Sequence, residues 1–236
     1  MTMQNNVVLL PTYNEAENLP AIARAILAAA PVDLLILDDN SPDGSGQLAD
    51  ALAREDGRVQ VVHRTEKRGL GRAYLDGFRR ALQLGYQRIL QMDADFSHPP
   101  AMLPSMLAAC ERYDLVIGSR WVPGGGTKNW PWYRRAISLG GSWYARTVLG
   151  VPVRDLTGGF KCFRREVLEA LDLDHIDATG YAFQIEMTFQ ASRQGFRLHE
   201  LPITFTERAL GTSKMSRRIV VEAMLKVPAM RLRTPA

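Results

Sequence analysis

Cysteine is nearly missing from this chain. Its 236 residues include two, Cys110 and Cys162, far apart and without metal-ligand spacing. That excludes a disulfide scaffold, and two free structural thiols in a reducing compartment are expected. Histidine is almost as sparse: there are four, and His98, ahead of two prolines, has no sequence partner, so zinc chemistry is not expected. No Gly-x-Ser-x-Gly or Cys/His pair offers a nucleophile. No window reaches the roughly 18 apolar residues of a membrane span; the best candidate, Ile26 to Leu37, is broken by Pro31 and Asp33. Met1 to Asn6 carry no basic residue, and Val7-Val8-Leu9-Leu10 is too short for a signal peptide, so none is expected. Apolar residues are not short overall: at 46% hydrophobic composition the chain can bury the core of one large domain.

Most of the chain also lacks an excess of either charge. The net charge is +4, but from Lys214 onward six basic residues (Lys214, Arg217, Arg218, Lys226, Arg231, Arg233) face one acid, Glu222. That tail carries +5 and residues 1–213 carry −1. Such a cluster implies an anionic partner: lipid headgroups, phosphates or nucleic acid. The tail has no aromatic residue on which a base could stack, so nucleic acid is not expected. Met215, Ile219, Ala223 and Val227 form an apolar stripe with Arg217, Arg218 and Lys226 off it. Residues 214–236 therefore read as a basic amphipathic helix at a membrane surface, or as a helix packed on the core.

What is present is a repeated unit of apolar run, loop and helix. Val7-Val8-Leu9-Leu10 ends at Pro11, and Leu19, Ile22, Ile26 and Ala30 follow at helical spacing. Leu34 to Leu37, Val59 to Val62, Ile89 to Met92 and Leu115 to Gly118 continue the pattern, with helices expected around Leu48 to Leu52, Ala73 to Leu84 and Pro100 to Arg112. Continuous apolar runs joined by helices predict an α/β fold, a mainly parallel central sheet flanked by helices. After Gly118-Ser119-Arg120 comes a long loop, Trp121 to Trp132, then helices over Tyr133 to Leu149 and Phe183 to Arg193 and a strand over Arg197 to Thr206.

Ligands of parallel sheets bind at the carboxyl ends of the strands, and this chain puts acids there: Asp38 and Asp39 after the second run, Asp93 and Asp95 after the fourth. Side chains alternate along a strand, so Asp93 and Asp95 converge if extended backbone persists through Asp95. Two carboxylates suit a hard divalent cation, Mg²⁺ or Mn²⁺, with positions left for phosphates and water; solvated turn aspartates are the bland alternative. Asp39 to Gly44, with Asp50 beyond, imitates a calcium loop, but a strand enters it where that loop needs a helix. Gly69-Leu70-Gly71 opens like a dinucleotide fingerprint but lacks the third glycine and follows the third strand. Arg134 and Arg135 stand in the first turn of a helix, where the dipole disfavours cations, so they serve an anion or a solvated face. Glu186 is a tempting base that reads better as structural.

In order along the chain stand Pro11-Thr12-Tyr13-Asn14-Glu15, Asp38-Asp39-Asn40-Ser41-Pro42-Asp43-Gly44 and Asp93-Ala94-Asp95 with His98-Pro99-Pro100 behind. This set resembles the inverting family 2 glycosyltransferases. Gly118-Ser119-Arg120, Asn129-Trp130-Pro131, Arg134, Ser138, Asp155-Leu156-Thr157-Gly158-Gly159-Phe160 and Arg208-x-x-Gly211-x-Ser213-Lys214 narrow the resemblance to polyprenyl (dolichyl) phosphate mannose synthases, over nearly the whole chain. The resemblance implies a single glycosyltransferase A-type domain over 1–213, with a nucleotide-sugar half (1–119) and an acceptor half (120–213). It implies GDP-mannose as donor, bound by Pro11, Tyr13, Glu15, Asp38, Asp39, Asp93, Ala94, Arg208 and Lys214. It also implies a divalent cation on Asp93, Asp95 and Ser97, and an acceptor phosphate on Arg120, Arg134 and Ser138; Asp95, Arg120 and Arg134 would be the catalytic set. Ser97 stands where the family commonly has Gln. The acceptor would be a polyprenyl (dolichyl) phosphate in the membrane, with the protein peripheral on its cytoplasmic face and open to a separate membrane-anchoring partner.

The chemistry is consistent with those residue types. Attack at the sugar carbon opposite its diphosphate inverts configuration, and positive charge must offset the leaving group. An alcohol acceptor would need a general base. A phosphate monoester does not, because its second pKa is about 6; it needs arginines to offset its repulsion from the diphosphate. Another donor such as UDP-glucose, or a non-catalytic lipid- or nucleotide-binding module, remain open at this point.

Overall fold

In the computed structural model, which describes residues 5–65, 69–176, 181–207 and 225–232, the apolar runs become the centre of a seven-stranded sheet. β1 (Asn6–Thr12) lies between β2 (Asp33–Asp38) and β4 (Arg88–Gln91), with β3 (Val59–His63) outside β2, all four parallel. β2 is buried along its whole length, which explains why its sequence is continuously apolar rather than alternating. α1 (Leu19–Ala29), α2 (Ser45–Glu55) and, after a 3₁₀ turn over Pro100–Met102, α4 (Leu103–Ala109) cover one face; α3 (Leu70–Gln83) covers the other.

The second half of the chain completes the same sheet. β5 (Leu115–Ser119) does not touch β4. Between them runs β7 (Lys161–Arg164), antiparallel to both, with Ile89 opposite Phe163 and Val116 opposite Cys162. β8 (Leu198–Pro202) pairs parallel with β5 at the edge. The expected parallel architecture holds, with this one reversed strand inserted.

Several sequence expectations change in detail. The run expected to end at Pro11 continues through Thr12; Pro11 pairs with Leu37 and lies beyond the β4 pairing, which stops at Leu9, so no ladder bond is missing there. The single strand expected over Arg197 to Thr206 is two, because the chain leaves the main sheet at Ile203. β9 (Thr204–Thr206) pairs instead with β6 (Gly126–Lys128), a strand inside the expected loop. α5 (Trp132–Leu149) and α7 (Tyr181–Arg193) match their apolar spacing, whereas α6 (Arg165–Ala170) was not anticipated. The cysteines are free, as expected, and buried in one core cluster, Cys110 just after α4 and Cys162 on β7.

Of the basic C-terminal helix only 225–232, α8, falls among the described residues; Met215, Ile219 and Ala223 lie outside them. Val227 and Met230 are buried in the core cluster that includes Ala145 and Leu149 of α5, and Arg231 Nη1 donates to the Val148 carbonyl at 2.6 Å. This part of the stripe is core.

α3 reaches the sheet through Gly77, where an added Cβ would stand 2.6 Å from Leu37 Cδ1 and 3.1 Å from Leu9 Cδ1, both leucines fully buried. Gly77→Ala should therefore destabilise by about 1–3 kcal/mol from overpacking, more than the roughly 1 kcal/mol that helix propensity returns. Urea midpoints check this, and a stabilised variant would contradict it.

Candidate active site

Because β1, β2 and β4 run parallel and in register, their carboxyl ends open on one edge. Asp38, at the end of β2, is buried and accepts Ser41 Oγ at 2.6 Å and Thr12 Oγ1 at 3.4 Å. Gly46, on α2, lets that helix start close by, since a Cβ there would stand 2.9 Å from Asp38 Oδ2. Asp39 is ion-paired with buried Arg64, which also holds Asp76 at 2.9 Å. Burial raises the Asp39 pKa, with Arg64 opposing it. The loop carrying Tyr13 and Glu15 is stitched to the loop after β2: Asn14 N–H donates to Ser41 Oγ, Glu15 N–H to Ser45 Oγ and Ala16 N–H to Asp43 Oδ2. Burial works against the charge of Asp43, but its bonds from Ser45 and Ala16 prevail and lower its pKa. With Asp43 so occupied and Asp50 on His63 at 2.8 Å, this stretch is no calcium loop. Pro11 and Tyr13 are half-buried at the same edge.

The Asp93-Ala94-Asp95 segment reaches that edge by a different route from the one its alternation suggests. β4 ends at Gln91, Ala94 and Asp95 form a turn, and Phe96 adopts a positive φ of 60°. Extended backbone does not persist through Asp95, so a turn and not the strand pleat places the second carboxylate. Asp95 is buried and accepts the Ser97 N–H at 3.0 Å; Asp93 Oδ1 accepts the Tyr74 hydroxyl at 3.3 Å. Burial, then the charges of Asp93 and Asp95, push the Tyr74 pKa well up, so it stays a donor. Among the described residues no three His, Cys, Asp or Glu side chains gather to hold a metal. Two carboxylates and Ser97, whose buried Oγ has no hydrogen-bond partner among the described residues, form a hard-oxygen donor set that fits Mg²⁺ or Mn²⁺ if substrate and water complete the shell.

His98, read from sequence as a histidine without a partner, is part of this segment's frame. It is fully buried, its Nδ1 accepts the Asp93 N–H at 3.1 Å, and its ring stacks on Phe160 (5.2 Å) and meets the edge of Phe205 (5.4 Å). Burial lowers its pKa, which keeps Nδ1 an acceptor. Beneath lies a buried polar floor. Gln91 donates to the Gly159 carbonyl and to Gln184, both at 2.9 Å, and Lys161 Nζ donates to Gln184 O and Oε1 at 2.7 and 2.9 Å.

The three residues expected at an acceptor phosphate separate into two settings. Arg120 was expected to grip a phosphate, but its fork is spent inside the protein. Nε and Nη2 meet the two oxygens of fully buried Asp155, each at 2.7 Å, and Nη2 also reaches Thr157 Oγ1 at 2.8 Å. Burial opposes the charge of Asp155, and Arg120 outweighs it, so its pKa is lowered. Arg134 and Ser138 instead project from the first turns of α5. Arg134 lies over the Trp130 ring at 4.4 Å and bonds Glu207 at 2.6 Å, and Ser138 Oγ is 3.5 Å from Thr157 Oγ1. Arg208 and Lys214 lie outside the described residues. Glu186 is buried on α7. Phe205 and Glu207 were not anticipated; the only cue was their place just ahead of the Arg208 motif.

A chain with this sheet edge, these carboxylates and this arginine helix has a counterpart in known sequences: the profile described as glycosyl transferase family 2 matches residues 7–172. The chain belongs to glycosyl transferase family 2. Within curated glycosyl transferases it is 52% identical over 227 residues to a polyprenol monophosphomannose synthase of Mycolicibacterium smegmatis, covering 95% of this chain and 86% of that protein. It is 51% identical over 222 residues to an undecaprenyl-phosphate mannosyltransferase of Micrococcus luteus, covering 94% and 91%. The resemblance read from the motifs is borne out. A crystal structure of glucosyl-3-phosphoglycerate synthase from Mycobacterium tuberculosis, in complex with Mn²⁺, uridine diphosphate and glucosyl-3-phosphoglycerate, shares the fold at a TM-score of 0.69 and 18% identity, covering 99% of this chain and 81% of that one.

Burial brings the Lys161 pKa down from 10.5 to about 7, with Asp155 opposing the shift. Between those values the unfolded chain binds more protons than the folded one, so this lysine makes stability rise with pH from about 7 to about 10.5 and is least favourable below 7. Lys161→Met removes that dependence. The parent should gain on the variant in urea midpoint between pH 6 and pH 9.5, and a constant difference would contradict the assignment.

Proposed function

We propose that this protein transfers mannose from GDP-mannose to a polyprenyl (dolichyl) phosphate with inversion, giving polyprenyl phosphate β-mannose and GDP. The observation that carries the reading is the 51–52% identity, over 94–95% of the chain, to two proteins named for mannosyl transfer to a polyprenyl carrier. The geometry supports it. Asp38, Asp39, Tyr13 and Glu15 offer polar groups for a nucleoside at the ends of β1 and β2, and Ala94 sits between the two carboxylates of the diphosphate end. Asp93, Asp95 and Ser97 would hold Mg²⁺ or Mn²⁺, which supplies positive charge against a departing diphosphate. Arg208 and Lys214 are proposed to add charge to the same group.

Arg134 and Ser138 are the proposed acceptor-phosphate residues. Arg120 acts behind them: by fixing Asp155 and Thr157 it holds the surface against which Ser138 rests. A phosphate dianion is nucleophilic at neutral pH, which removes the need for a base and fits the buried, structural place of Glu186. α5 presents these two residues on its inner side while its outer side exposes Trp132 (81%), Tyr133, Ile137, Leu139 and Trp143 (67%). An exposed aromatic and aliphatic face beside Arg135 and Arg146 suits a membrane interface. This supports a peripheral position on a membrane through α5, in place of the described part of the C-terminal helix; the cytoplasmic face is the proposed side. Among the described residues no helix is long and apolar enough to cross a membrane.

The test is incubation of the purified protein with short polyprenyl phosphates, a panel of nucleotide sugars and Mg²⁺ or Mn²⁺, with mass spectrometry of the lipid product. A mannosyl adduct from GDP-mannose that disappears on chelation is expected; a hexose from UDP-glucose alone would overturn the donor. Arg134→Ala should reduce acceptor kcat/KM by at least about 30-fold, the scale of losing a charge-assisted phosphate contact, while GDP affinity stays within about twofold on the same scale. Equal loss of both would count against the acceptor site. Trp132→Ser with Trp143→Ser should reduce co-sedimentation with anionic vesicles and leave soluble GDP binding unchanged.

A further inference from the structure

The partner of Arg134 is itself an anion. Its Nη1 bonds Glu207 Oε1 at 2.6 Å, while its Nε is buried and without a hydrogen-bond partner among the described residues. A guanidinium has five N–H donors and is best matched by two parallel bonds to one anion; a buried orphan N–H is unfavourable. The Trp130 ring 4.4 Å from the guanidinium carbon holds the plane of the group, which leaves the anion in that plane exchangeable. Glu207 is anchored by its backbone, whose N–H donates to the Lys128 carbonyl at 3.1 Å, but its side chain is 32% exposed against 13% for Arg134. The carboxylate is thus delivered to one place and can still swing out to water.

We propose that Glu207 is a built-in competitor for the acceptor phosphate at Arg134, which weakens every anion there by the same factor and so sets a threshold that a phosphate monoester clears and a phosphodiester does not. The inference rests on the reading of Arg134 as an acceptor-phosphate residue. A tethered carboxylate acts at an effective concentration in the millimolar range or above, and an incoming anion must displace it, because carboxylate and phosphate repel each other at one guanidinium. A monoester dianion brings two charges and three oxygens to that exchange. A diester brings one charge and two free oxygens, no better than the glutamate it would replace. At a membrane this discrimination matters, since phosphodiesters are the common lipid headgroup chemistry. It also acts on the product: transfer of a sugar to the acceptor oxygen makes a diester, which loses a charge, and Glu207 then regains the arginine and favours release.

The experiment measures equilibrium binding of a short prenyl phosphate and of its methyl diester to the parent protein, Glu207→Gln, Glu207→Asp and Arg134→Ala, each checked for folding by thermal melt. In the parent the monoester binds more tightly than the diester. Glu207→Gln should tighten both ligands by the same factor, about tenfold for a site that its competitor occupies about 90% of the time, so that the ratio of the two affinities is kept while the diester becomes a measurable ligand and inhibition by the glycosylated product strengthens. Glu207→Asp, which keeps the charge, should stay near the parent affinities even if the glutamine variant folds poorly. Unchanged affinities in Glu207→Gln, or weaker binding of the monoester, would overturn the proposal and leave Glu207 as a group that orients Arg134. If Arg134→Ala binds the monoester like the parent, the acceptor site itself is misplaced and the proposal falls with it. If Arg134→Ala loses binding while Glu207→Gln leaves both affinities unchanged, only the competitor role fails.

Discussion

A single buried carboxylate organises the second half of this protein. Asp155 is fully excluded from solvent, and it is tolerated there because Arg120 meets both of its oxygens and donates its backbone N–H as well. Removing one member of such a pair strands a charge in the interior, at a cost of about 3–5 kcal/mol. The pair fixes the turn after β5 to the segment after α5, and Glu200 of β8 clamps that segment by accepting the N–H groups of Arg154 and Asp155 at 2.8 and 2.9 Å. Thr157, held by Arg120, then faces Ser138 and Ser142 of α5. The helix that carries Arg134 is therefore positioned through the buried ion pair.

From that anchor a packed column crosses to the carboxylate segment. Arg134 stacks on Trp130, Trp130 meets the edge of Phe205, Phe205 meets His98, and His98 accepts the backbone N–H of Asp93. The two-stranded β6–β9 sheet supplies Phe205 and carries the chain between Lys128 and Glu207. The carboxylates of Asp93 and Asp95 and the guanidinium of Arg134, far apart in sequence, are thus joined through one packed frame. On the proposed reading that frame preorganises opposite charges around a reacting phosphate, the main resource of a transfer in which little covalent work falls to the protein.

Much of this frame was legible in the chain and some of it was not, for physical reasons. β1, β2, β4 and β5 announce themselves because strands buried on both faces must be continuously apolar. Asp93 and Asp95 stand out because they are two acids one residue apart at the carboxyl end of a buried strand, where sheets of this kind bind ligands. β7 was hidden: it has four residues, begins with Lys161 and ends with Arg164, and that lysine is buried with its amine on Gln184, a partner its local sequence does not reveal. The role of Arg120 was hidden by distance, since its partner lies 35 residues on and nothing in either local pattern points to the other. Glu207 was passed over because a glutamate beside an arginine reads as ordinary surface charge until the fold sets it against α5.

α5 has one further property that follows from its two rows of side chains. A helix advances about 1.5 Å per residue and does not stretch, so Trp132 and Trp143 on the outside and Arg134 and Ser138 on the inside are held at fixed heights relative to one another. On the proposed reading, the depth at which the aromatic rings rest in a bilayer sets the level of the reaction centre above the lipid. The helix then works as a depth gauge: it meets a phosphate at headgroup height, and whatever hydrocarbon hangs below that level, long or short, goes unmeasured.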